Sequence, residues 1–203
     1  MRLEWRDVVQ DLMISIRDVA PKERIEGLLF CFGAPTIRGM KAACLLNFRH
    51  EENDGEDVRA SWCAHATSWL GPFGVEWILL NEEASPRDAL VMIYRRALLA
   101  RALASGQAGA ILAPLGYPLP DVDPCLEHLR GRFHGEFPHE IGLFLDYPPE
   151  DVRGFMERRK GASLEAGYWK VYGDVERARR TFARYRRAEM DAARALLDRR
   201  SYV

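Results

Sequence analysis

Apolar positions along the chain fall into helix-like and strand-like patterns, and their order sets the expected fold. Trp5, Val8, Val9, Leu12, Ile16 and Val19 recur every three or four residues until Pro21, which predicts an amphipathic first helix. Residues 27–32 form a short unbroken apolar run, as expected of a strand buried on both faces. Residues 42–48 and 75–80 predict two further strands, with a helix over residues 58–69 that ends before Gly71-Pro72.

Ser85-Pro86-Arg87-Asp88 supplies an N-cap, a proline at the first helical position and an acid in the first turn. It predicts a helix to about residue 105, with Gly106 as its left-handed terminator. Residues 110–113 read as a short strand, and Asp123-Pro124 as the start of a helix carrying Leu126, Leu129 and Phe133. After Pro148-Pro149, the acids Glu150 and Asp151 open another helix that buries Val152, Phe155 and Met156. Residues 167–172 are aromatic and β-prone, and Gly173-Asp174 leads into a long terminal helix through Val175, Ala178, Phe182 and Tyr185. The expected class is α/β: one domain over residues 1–203, a mixed sheet flanked by helices, and a long C-terminal helix. Strands 27–32, 42–48, 75–80 and 167–172 are expected to share that sheet.

Composition narrows the partners more than the fold. With 48% hydrophobic and 29% charged residues the chain has an ordinary globular balance. Its 29 Lys and Arg against 30 Asp and Glu leave a net charge of -1, so neither nucleic acid nor an anionic membrane surface is expected as a partner. Apolar runs fall far short of the roughly 20 residues that span a bilayer, and the start Met1-Arg2-Leu3-Glu4 lacks the apolar core of a secretory signal, so a cytoplasmic location is expected. Cys31, Cys44, Cys63 and Cys125 form no Cys-x-x-Cys pair, which predicts reduced thiols and no disulfide.

Three segments carry candidate chemistry. Between the first two predicted strands, Thr36, Arg38 and Lys41 sit in a loop bounded by Gly33 and Gly39 and could bind phosphate or carboxylate; a simple polar turn is the bland alternative. The loop has neither the Walker order nor a dinucleotide fingerprint. His139-Glu140 follows Pro138 and is the candidate catalytic acid–base pair, against a hydrogen-bonded structural histidine or a cap. No His-Glu-x-x-His is present, and no metal site is assigned. Tyr168, Lys170 and Tyr172 alternate with Trp169 and Val171, giving either a ligand-stacking face or an amphipathic edge strand. The arginines at 177, 179, 180, 184, 186 and 187 are interleaved with Glu176, Glu189 and Asp191, a solvated helix face. No Gly-x-Ser-x-Gly elbow appears, so enzyme status and cofactor stay open.

The run 137–145, with Tyr147-Pro148, Glu150-Asp151-Val152, the segment 167–173, and Ala34-Pro35-Thr36 with Gly39 and Lys41, resembles an uncharacterised bacterial family, domain of unknown function 3793. The resemblance implies membership and no activity. In the family pattern a cysteine often precedes Ala-Pro-Thr, where this chain has Gly33, and a glycine often stands where this chain has Asp146.

The functional expectation is a pocket for an anionic small molecule, built from residues 34–41, 137–142 and 168–172, with His139 and Lys41 on one cleft. Two alternatives stand beside it. One is a metal- or haem-handling protein using His139 with Glu140 or a cysteine; the other is a non-catalytic protein-interaction module.

Overall fold

A computed structural model describes residues 4–51, 55, 57–81, 87–134, 136–157 and 162–200. Its centre is a three-stranded sheet of β1 (Ala43–Phe48), β2 (Glu76–Leu79) and β3 (Ala89–Tyr94), in the order β1-β3-β2 with both pairings antiparallel. Side-chain alternation sorts the strands into two cores. Leu46, Val91 and Leu79 lie abreast on one face, against α2 (Pro21–Phe32) and α4 (Val58–Leu70). Leu45, Met92 and Ile78 lie abreast on the other, against α5 (Arg96–Leu103), α6 (Gly106–Leu112), α7 (Val122–Gly131), α8 (Ile141–Phe144) and α9 (Pro149–Glu157).

Two further layers complete the fold. α1 (Trp5–Ser15) packs Val8 and Leu12 onto α10 (Val175–Arg200), with Cys31 and Ala193 in the same cluster. The short α3 (Ala34–Ile37) leads into β1, and a small hairpin of β4 (Glu165–Ala166) and β5 (Lys170–Val171) lays Trp169 and Val171 on Phe182 and Tyr185 of α10. The chain is thus α/β, with helices on both faces of a sheet and a long C-terminal helix.

Several elements differ from the sequence expectation, for physical reasons. Residues 27–32 are the second half of α2 and not a strand. This helix is apolar all round because it is buried twice: Ile25 and Leu29 face the sheet and α4, while Cys31 faces α1 and α10. The run that does belong to a strand buried on both faces is β3, the central strand, where one long helix was expected. Of the predicted cap, Ser85 and Pro86 lie outside the described residues. Gly106 does not terminate a helix; Ser105 caps α6 by accepting from the Ala108 N–H at 3.2 Å, and Gly106 is the first residue inside. Residues 110–113 continue α6 and enter a 3-10 turn, not a strand. The strand at 167–172 shrinks to Lys170–Val171 and pairs only with β4, so it is not part of the main sheet. Gly167 begins that turn because a Cβ there would stand 2.3 Å from the Phe182 ring.

Candidate functional site

A cavity of about 770 Å³ opens where three of these layers meet, a volume in the range of small-ligand sites. Its walls are Leu28, Phe32 and Pro35 from α2 and α3, five consecutive β1 residues from Cys44 to Phe48, and Val152 and Phe155 from α9. Both parities of β1 line it. A cavity over one sheet face would touch alternate residues; touching all of them places it along the strand's free edge, since among the described residues β1 pairs with β3 alone.

The lining residues divide by exposure. Lys41, Tyr185 and Glu189 are buried, with Tyr147 and Tyr168 partly so, and they form a closed end. Phe137 is half exposed, Lys170 is exposed and His139 and Phe155 are intermediate; these form the mouth. At the mouth the Lys170 ammonium sits 5.3 Å from the Phe155 ring centre, with the His139 ring edge-on to the same Phe155 at 4.9 Å.

Lys41 dominates the closed end. Gly39, with φ +70°, turns the chain out of α3, and Lys41 follows just before β1. The side chain is 5% exposed and its ammonium lies 5.1 Å from the Tyr147 ring centre and 5.8 Å from that of Tyr185. Among the described residues no carboxylate is within ion-pairing distance of it. Burial lowers its pKa from 10.5, partly offset by the fields of Cys44, Glu189 and Asp146.

Around it stand groups whose pKa values burial shifts upward. The Glu189 carboxyl is pushed up from 4.5 by burial, although Trp5 Nε1 donates to its Oε2 at 2.8 Å. The Cys44 thiol is also raised by burial, and so is the Tyr168 phenol. The Tyr168 hydroxyl faces Glu189 without closing a hydrogen bond of ordinary geometry, and is buried without a partner. The Asp146 carboxyl is also pushed up from 3.8 by desolvation, and Asp146 is the one non-glycine residue with positive φ (60°) among those described. Asp151 also lines the cavity, but its oxygens are taken: Trp169 Nε1 donates at 2.7 Å, and the Tyr172 and Gly173 N–H groups at 2.7 and 2.8 Å.

The residues singled out from sequence separate accordingly. Lys41, His139, Tyr168 and Lys170 line the one cavity. Glu140 does not join His139: it is buried on the other side of the turn before α8, where its Oε1 accepts from the Tyr117 hydroxyl at 2.9 Å and from Arg132 Nε. The pair therefore shares no site. Thr36 is fully buried outside the cavity, its hydroxyl unpartnered, and Arg38 reaches Asp191 on the surface at 3.6 Å. Tyr172 packs its ring on Gly154 outside the cavity. Its separation from Tyr168 follows from the turn at residues 167–169, where the Gly167 N–H donates to the Trp169 carbonyl at 3.0 Å and strand alternation is lost.

Sequence reasoning placed Glu189 on the solvated arginine-rich face of the last helix, whereas it is buried at 2% exposure, although a signal was present. Val175, Ala178, Phe182, Tyr185 and Glu189 fall on one helical stripe, so the acid sits where an apolar residue is expected.

Among the described residues no group of three or more His, Cys, Asp or Glu side chains converges on a metal position, all four cysteines are free, and no single helix is long and apolar enough to cross a membrane. No curated protein and no solved structure matches the chain. A family model does, over residues 29–202, and it spans every cavity-lining element except the start of α2: the chain belongs to DUF3793, a family of proteins of unknown function.

Proposed function

We propose that this protein binds a small, largely apolar molecule bearing one acidic group, and that Lys41 is the counter-charge for that group. One observation carries the reading: a buried ammonium at the closed end of a largely apolar cavity, with no carboxylate among the described residues in ion-pair contact with it, Glu189 and Asp146 acting on it only from longer range. An unpaired buried charge costs several kcal/mol unless something compensates it, and a ligand anion does so. The Tyr168 hydroxyl, in the same cavity lining and facing Glu189, is a second donor available to such a ligand.

A catalytic role is harder to build from the same groups. The Cys44 thiol is pushed away from the thiolate form, and Glu140 is engaged by Tyr117 and Arg132 instead of His139. The donor arrangement favours an acid-bearing organic ligand over a metal or haem.

Calorimetric titration with dodecanoate and with dodecanol tests the reading. The acid is expected to bind clearly tighter, and Lys41→Met to weaken it by about 2 kcal/mol or more, roughly 30-fold, while leaving the alcohol unchanged. Equal affinity for acid and alcohol in the unaltered protein would sink it.

A further inference from the structure

We propose that the ligand is a peptide: the C-terminal tail of a partner protein, adding as an antiparallel strand to the free edge of β1 with its terminal carboxylate at Lys41. This rests on the reading of Lys41 as an acid's counter-charge and adds the identity of the body attached to that acid.

The cavity's position argues for it. Five consecutive residues of an edge strand line the cavity, and among the described residues no backbone–backbone hydrogen bond from residues 44–48 goes anywhere but to β3. Every second residue of an edge strand turns its N–H and C=O outward, so the wall carries a row of main-chain donors and acceptors. A simple hydrocarbon chain leaves that row unused; an extended peptide fits it, as in strand addition generally.

Polarity then fixes direction. Lys41 precedes β1, so it stands at the strand's N-terminal end. An antiparallel strand laid on β1 ends there, and brings its carboxylate to the buried ammonium. A parallel strand would bring an N-terminal ammonium to the same place and be repelled.

Side chains alternating from the added strand meet Leu28 and Phe32 on one side and Val152 and Phe155 on the other, so apolar residues are selected at both parities. The mouth decides the source. The Lys170 and His139 side chains have no hydrogen-bonding or ion-pair partner among the described residues, and Asp151 nearby has its oxygens occupied. A free N-terminus of a short peptide would meet these cationic and imidazole groups, whereas a tail continuing into solvent brings no charge there.

An N-acetylated library of apolar tetrapeptides, titrated against the whole chain, is the test. The free-acid library is expected to bind at least about ten-fold tighter than its C-terminal amide counterpart, the scale of a charge-assisted contact. N-methylation of the best binder should weaken it at every second amide and be tolerated between. Lys41→Met, or Lys41→Gln should that variant not fold, should abolish the preference for acid over amide.

If dodecanoate binds but the peptide acids do not, or if N-methylation shows no period of two, strand addition is wrong while the acid reading stands. If neither dodecanoate nor the peptides prefer the acid form, both fall. Tighter binding of unacetylated peptides than acetylated ones would overturn the partner-tail assignment in favour of free oligopeptides.

Discussion

Two regions of this molecule bury a charge-bearing side chain at similar depth and treat it in opposite ways. At the turn before α8, Glu140 is 2% exposed and answered by the Tyr117 hydroxyl and the Arg132 guanidinium. At the closed end of the cavity, Lys41 is 5% exposed, lies against the faces of two tyrosine rings, and has no ion-pair contact among the described residues, with Glu189 and Asp146 acting from longer range. The first is a satisfied network and holds structure. The second leaves a desolvated charge without an ion-pair contact, which is the cost that the proposed acid ligand would offset. The contrast also explains why His139 and Glu140, neighbours in sequence, belong to different parts of the molecule: one turn points each into a different environment.

The largest expected effect breaks the satisfied side of this comparison. Glu140→Ala strands a buried phenol and removes the partner of Arg132, so it should lower stability by about 2–3 kcal/mol in urea denaturation. The figure sits below that of a wholly buried pair because Arg132 is 38% exposed and partly screened. A loss under about 0.5 kcal/mol would mean that burial without hydrogen bonds is what holds this corner, and the distinction between the two regions would lose its basis.

How far this distinction was legible in the sequence depends on which layer a residue serves. Lys41 and His139 could be chosen because polar groups between apolar segments stand out, and both line the cavity. Thr36, Arg38 and Tyr172 stood out equally and do not, because direction around a turn is set by tertiary packing. The turn at 167–169, forced by Gly167 against Phe182, is invisible to a period-two pattern. The same limit exchanged α2 and β3. A helix wedged between two layers and a strand at the centre of a sheet both read as unbroken apolar runs of similar length, and periodicity cannot separate them. Strands β1 and β2, with one flank less buried, and helices α4, α7 and α9, with caps or acids at their starts, were readable because local chemistry and tertiary position agree.

A smaller effect of opposite sign sharpens the comparison. Lys41→Met keeps the length of the side chain and removes an ammonium that is desolvated without a partner, so it should raise stability near neutral pH by about 1 kcal/mol. Destabilisation by more than about 1 kcal/mol would show instead that the cation–π contacts with Tyr147 and Tyr185 outweigh desolvation, and that Lys41 needs no ligand to complete it.

The smallest effect is the pH dependence of that gain, and its sign follows from Lys41's surroundings. In the unfolded chain the ammonium titrates near 10.5; in the folded protein burial lowers this, against the fields of Cys44, Glu189 and Asp146. Below the folded value both states carry the proton and the full desolvation cost acts. Between the folded value and 10.5 the unfolded state binds more protons, so stability rises with pH across this window, and above it the cost is gone. The advantage of Lys41→Met over the unaltered chain should therefore shrink as pH rises through the window. Glu189 cannot mimic this: its carboxyl is raised from 4.5, so its window opens in the acid range and there stability falls as pH rises. An acid bound at Lys41 restores the ammonium. Dodecanoate affinity should then be flat below the folded pKa and fall above it, with one proton taken up per ligand on the alkaline side. Calorimetry in two buffers of different ionisation enthalpy reads that proton directly. A Lys41→Met advantage that stays constant from neutral to strongly alkaline pH, with no proton uptake, would mean that the ammonium is not desolvated in the folded protein.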